Sequence, residues 1–93
     1  MKAEFGRDSI EWDEKQERFI YKKEDGNKGK FVLKTIDILD MLQGELDEYK
    51  KVETEEESSE RQTLMLNIEV TGLKIGCVGH MVEVLKGRGV KLV

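Results

Sequence analysis

The chain has 93 residues, enough for one domain with one modest core. Charged residues make up 39%, hydrophobic residues 38%, and there is no Pro, so nothing interrupts long regular elements. The single Cys, Cys77, excludes an intrachain disulfide. It fits a reducing compartment.

The net charge of −4 conceals strong segregation. Residues 35–60 hold two Lys and ten Asp/Glu, whereas residues 1–34 hold nine Lys/Arg and eight Asp/Glu, and residues 61–93 hold five and two. The start, Met1-Lys2-Ala3-Glu4, has no apolar signal-peptide region. The uncharged run from Ile75 to Val82 is far short of the ~20 residues that span a bilayer. A cytoplasmic location is expected by exclusion.

Residues 3–34 read as an antiparallel meander of three or four strands. Ile10 and Trp12 alternate with Ser9, Glu11 and Asp13, and Phe19 and Tyr21 alternate with Arg18 and Lys22. Asp13 to Gln16 is a charged turn. Asp25-Gly26-Asn27-Lys28-Gly29 is the strongest turn signal in the chain. Phe31-Val32-Leu33 supplies a further strand, and Phe5 opens an earlier one.

Residues 35–51 read as an amphipathic helix capped by Thr35. Ile36, Leu39, Leu42, Leu46 and Tyr49 share one face, with Asp37, Asp40, Gly44, Asp47 and Lys51 opposite. Asp37 in the first turn and Lys50 and Lys51 in the last suit the helix dipole. Residues 52–60 form an acidic connection, in which Thr54-Glu55-Glu56-Glu57 has the form of a capping box.

Residues 61–86 read as a second, apolar helix. Leu64, Ile68, Ile75, Val78, Val82 and Leu85 fall on one stripe, and Leu66, Val70, Leu73, Cys77, Met81 and Val84 on another. The same stretch admits a second reading. Leu64, Leu66, Ile68 and Val70 also alternate as a strand would, and Gly72, Gly76 and Gly79 cost a helix about 1 kcal/mol each relative to Ala. In that alternative the C-terminal half is strand, helix, strand. In both, Gly87-Arg88-Gly89 stops a helix, and residues 87–93 are a tail or short strand. The fold class is α+β, an N-terminal β-meander followed by a helical hairpin.

No constellation of residues points to catalysis, a cofactor or a metal. Cys77 and His80 are three apart and are two ligands short of a zinc site. Asp37/Asp40 and Glu45/Glu48 are carboxylate pairs of a kind a hard cation favours, but twenty acidic residues produce such pairs by chance. Lys22, Lys23, Lys28, Lys30 and Lys34 gather near Tyr21 and Phe31, with Glu24 and Asp25 interrupting them, so nucleic-acid binding is not favoured.

The expected function is therefore that of a small non-catalytic binding protein, an adaptor or inhibitor that occupies a partner. Asp37, Asp40, Asp47, Glu48, Glu55, Glu56 and Glu57 form the acidic surface for a basic protein, with mimicry of nucleic acid as one alternative. The two-sided C-terminal helix is too apolar for one small chain to cover. Homo-oligomerisation is expected through Gly72, Gly76, Gly79 and Val82. A second alternative is a small ligand or nucleotide held at the oligomer interface.

Overall fold

A computed structural model describes residues 1–24 and 28–92. Four strands, β1 (Lys2–Phe5), β2 (Asp8–Asp13), β3 (Arg18–Lys23) and β4 (Gly29–Leu33), precede two helices, α1 (Thr35–Lys51) and α2 (Ser59–Gly87). The strands form one antiparallel sheet in the order β1-β2-β3-β4. This is the expected α+β arrangement of a meander followed by a helical hairpin.

Each turn has a local cause. Phe5 pairs with Asp8, leaving Gly6-Arg7 as a two-residue turn. Gly6, at φ +64°, supplies the positive dihedral that such hairpins require. Between β2 and β3 the Asp13 carboxylate accepts from the backbone N–H groups of Lys15 (2.9 Å) and Gln16 (3.1 Å). This Asx-type closure explains the charged turn. The expected turn at Asp25-Gly26-Asn27 lies outside the described residues.

The inner face of the sheet presents Ile10, Trp12, Phe19 and Tyr21, all buried. α1 packs over β3 and β4, α2 over β1 and β2, and the helices pack on each other. Ile38, Leu42, Val78, Met81 and Leu85 complete the core. Ile20 breaks the expected alternation. It points to the outer face and is nonetheless buried, in a cross-strand row with Glu11 and Val32.

α1 has the expected bounds, but its buried face is rotated. Ile36 is 63% exposed, whereas Ile38 and Leu42 are fully buried. Leu39, Leu46 and Tyr49 are half-buried. Thr35 is also not the cap. The cap position is Lys34, and the Thr35 hydroxyl is buried with no hydrogen-bond partner among the described residues. The chain enters the helix from β4 one residue after Leu33, and that close join sets which residue faces the sheet.

Residues 59–87 form one continuous helix, so the strand alternative for the C-terminal half does not hold. The capping box is displaced as well. Glu57 sits at φ +62°, outside helical space, and Ser58 caps α2 by accepting from the Arg61 N–H at 3.0 Å. At the other end the Gly89 N–H donates to the Lys86 carbonyl and the Val90 N–H to the Leu85 carbonyl, each at 3.0 Å. With Gly89 at φ +81°, this is a Schellman stop. Val90 and Leu92 of the tail fold back against the core.

The rotated face gives a stability contrast. Ile38→Ala is expected to destabilise by roughly 2–5 kcal/mol, as a large-to-small change at a buried site does. Ile36→Ala is expected to cost under about 0.5 kcal/mol. Urea titration of the two variants checks this, and equal losses would contradict the assignment.

Candidate functional site

The inner face of the sheet ends in a polar row. Asp8 and Lys23 follow Ile10 and Tyr21 toward the end of the sheet where the helices meet, and Lys74 of α2 and Glu45 of α1 close over them. Lys74 is only 4% exposed. Its Nζ donates to Asp8 Oδ2 at 2.7 Å and to the Tyr21 hydroxyl at 2.8 Å. The Tyr21 hydroxyl donates to Glu45 Oε2 at 3.1 Å, and Lys23 Nζ donates to Glu45 Oε1 at 2.7 Å. The Glu24 N–H donates to the second Asp8 oxygen at 3.0 Å. Two cations, two carboxylates and a phenol thus join β2, β3, α1 and α2.

The charges are mutually compensated, as buried charges must be. Burial works to raise the Asp8 carboxyl, but the Lys74 hydrogen bond, the Glu24 N–H and the charges of Lys74 and Lys23 outweigh it, and the group lies below its ordinary value of 3.8. The Tyr21 phenol is raised, first by burial and then by the adjacent Glu45 carboxylate. Above the network lies a cleft of about 420 Å³, bordered by Arg7, Asn67 and Leu73. Its floor is the network, whose groups are already engaged with one another.

Two outer surfaces carry the residues singled out by sequence. Asp37, Asp40, Asp47 and Glu48 are exposed, and at 100° per residue they occupy one flank of α1, away from Leu39 and Leu46. Glu55, Glu56 and Glu57 are also exposed but lie in the connection between the helices. The acidic set is therefore two groups. The carboxylate pair Glu45/Glu48 is divided, since Glu45 turns inward to Tyr21 and Lys23 while Glu48 meets Lys51 at the surface, at 3.7 Å.

The second surface is the outer side of α2. Met65, Leu66 and Leu73 are 50%, 56% and 60% exposed. Gly72, Gly76 and Gly79 are exposed too, and a Cβ at any of them would meet nothing within 4 Å among the described residues. Packing against α1 therefore does not account for these glycines. Between Glu69 and Glu83 the only charged residue is Lys74, which is buried. Val82 is half-buried against the core rather than beside the glycines. Burial raises the Cys77 thiol, so it stays protonated at neutral pH, and His80 beside it on the helix is exposed.

Sequence reasoning did not find the polar network. Its signal was Lys74, a lone cation in an otherwise uncharged stretch, which predicts a buried partner. No helix is long and apolar enough to cross a membrane, and no cluster of three or more metal-ligating side chains occurs, both among the described residues. Comparison with protein-family models, curated proteins and solved structures found no match.

The network generates a charge-coupled prediction. Lys74→Met leaves the Asp8 carboxylate buried without its cation and is expected to cost about 3–5 kcal/mol, and adding Asp8→Asn recovers part of it. The folded Asp8 value is depressed, so its contribution is fully present above the unfolded value near 3.8 and is lost as pH falls through the folded value. Urea stability of wild type should therefore decline below about pH 4 more steeply than that of the double variant. Parallel pH profiles would contradict the coupling.

Proposed function

We propose that this chain is a small cytoplasmic, non-catalytic binding protein, an adaptor or inhibitor, that assembles through the outer side of α2. The observation that carries the reading is the surface of α2 between Glu69 and Glu83. It is exposed and free of exposed charge in a chain whose residues are 39% charged. Exposed Met65, Leu66 and Leu73 lie on the same side. Exposed apolar surface on a small protein, here interrupted by Glu69, marks an interaction site. Assembly on α2 leaves the acidic flank of α1 open, so that Asp37, Asp40, Asp47 and Glu48 can face a basic protein.

The expected outcome is a wild-type mass above that of the monomer at tens of micromolar, measured by light scattering. Leu66→Lys combined with Leu73→Lys is expected to return the monomer with an unchanged circular-dichroism spectrum, since neither side chain is in the core. A wild type that stays monomeric throughout would contradict the assembly. For the acidic flank, basic proteins retained from lysate on the immobilised chain should elute with salt, which screens exposed charges beyond ~10 Å at 0.1 M. They should not be retained by the Asp40→Asn, Asp47→Asn, Glu48→Gln variant. Equal retention would remove that flank from the reading.

A further inference from the structure

Resting on the assembly reading above, we infer that the occupant of the α2 face is α2 of a second copy, antiparallel, with the large side chains of each helix seated at the glycines of the other. Large and small residues are unevenly distributed along this face. Along the open face, Met65, Leu66 and Glu69 lie toward the N-terminus, Gly72 and Leu73 near the middle, and Gly76, Gly79 and His80 toward the C-terminus. A face with bulk at one end and glycine at the other complements itself only when reversed.

The register follows from the numbering. Placing Gly72 beside the partner's Leu73 puts Glu69 beside the partner's Gly76, Leu66 beside the partner's Gly79 and Met65 beside the partner's His80. At 100° per residue, the members of each pair fall on opposite sides of the helix–helix line, as the two residues of a packed layer do. Three of these layers set a large side chain against a glycine. Among the described residues, nothing lies within 4 Å of where a Cβ would stand at those glycines. The two-fold repeats every contact, as an isologous interface requires.

Charge permits this register, in which Glu69 lies against a glycine with no cation beside it. No like charges oppose each other, and Arg61 lies near the partner's Glu83 at each end. If Gly76 met the partner's Gly76 in an antiparallel pair, Glu69 would face the partner's Glu83. A parallel pair would set Glu69 against the partner's Glu69, and would stack leucine on leucine and glycine on glycine, leaving gaps along the seam. Like charges brought together cost binding, and gaps forfeit contacts.

Cysteine cross-linking on the full chain in a Cys77→Ala background tests the arrangement. Met65→Cys mixed with His80→Cys should form a disulfide-linked pair under mild oxidation, and neither variant should do so alone. A self-cross-link of Met65→Cys, or a dimer mass without the mixed cross-link, overturns the antiparallel register while leaving α2 as the assembly face. A monomer at every concentration overturns both. Gly76→Leu gives a second readout. Overpacking should raise the dimer dissociation constant roughly ten- to a hundredfold. The thermal midpoint of the dilute monomer should hold or rise, because the site is open and leucine favours helix over glycine. A dimer that tolerates Gly76→Leu overturns the register as well.

Discussion

The molecule is governed by a shortage of cover. α2 has 29 residues, about 43 Å of helix at 1.5 Å per residue, and it carries apolar residues on both its buried and its exposed sides. One side lies on β1 and β2 and an adjacent side on α1. The meander is only four short strands wide and α1 is 17 residues long, so neither reaches around α2. The outer side is left with leucine, methionine and glycine at the surface, together with Glu69 and His80. Exposed apolar surface of this kind marks an interaction site, and the proposed self-docking arrangement would cover it.

The polar row at the end of the core is the second constraint. Asp8, Lys23, Tyr21, Glu45 and Lys74 tie both helices to the two central strands. Such a layer adds little net stability over apolar packing but is costly to break. Its geometric effect is to hold α2 in one rotation about its own axis. Lys74 faces inward to Asp8 and Tyr21, and that rotation leaves Gly72, Gly76 and Gly79 on the exposed side. The network inside and the open face outside are thus two consequences of one helix orientation.

Much of the fold was legible in the sequence, because alternation and turn chemistry are local. The meander, the bounds of α1 and the stop at Gly87-Arg88-Gly89 follow from residues close together in the chain. The choice between helix and strand for residues 62–78 was not local. Leu64, Leu66, Ile68 and Val70 satisfy both periods, and only packing on α1 and the sheet decides between them. The rotation of α1, which buries Ile38 in place of Ile36, depends on the join to β4. The network was illegible for a similar reason, since its members come from four elements and Lys74 is 66 residues from Asp8. Of the expected sites, the acidic set was legible as composition, but only the helix geometry separates the α1 flank from Glu55, Glu56 and Glu57.

The central claim is that the outer side of α2 is covered by another copy while its inner side is covered within the protomer. Methyl NMR with a soluble paramagnetic agent tests this directly. The account predicts that Leu42 and Leu85 methyls are protected at all concentrations, whereas Leu66 and Leu73 methyls are attenuated in dilute solution and become protected as the protein is concentrated. Attenuation of Leu66 and Leu73 that stays constant from the micromolar to the millimolar range would contradict it.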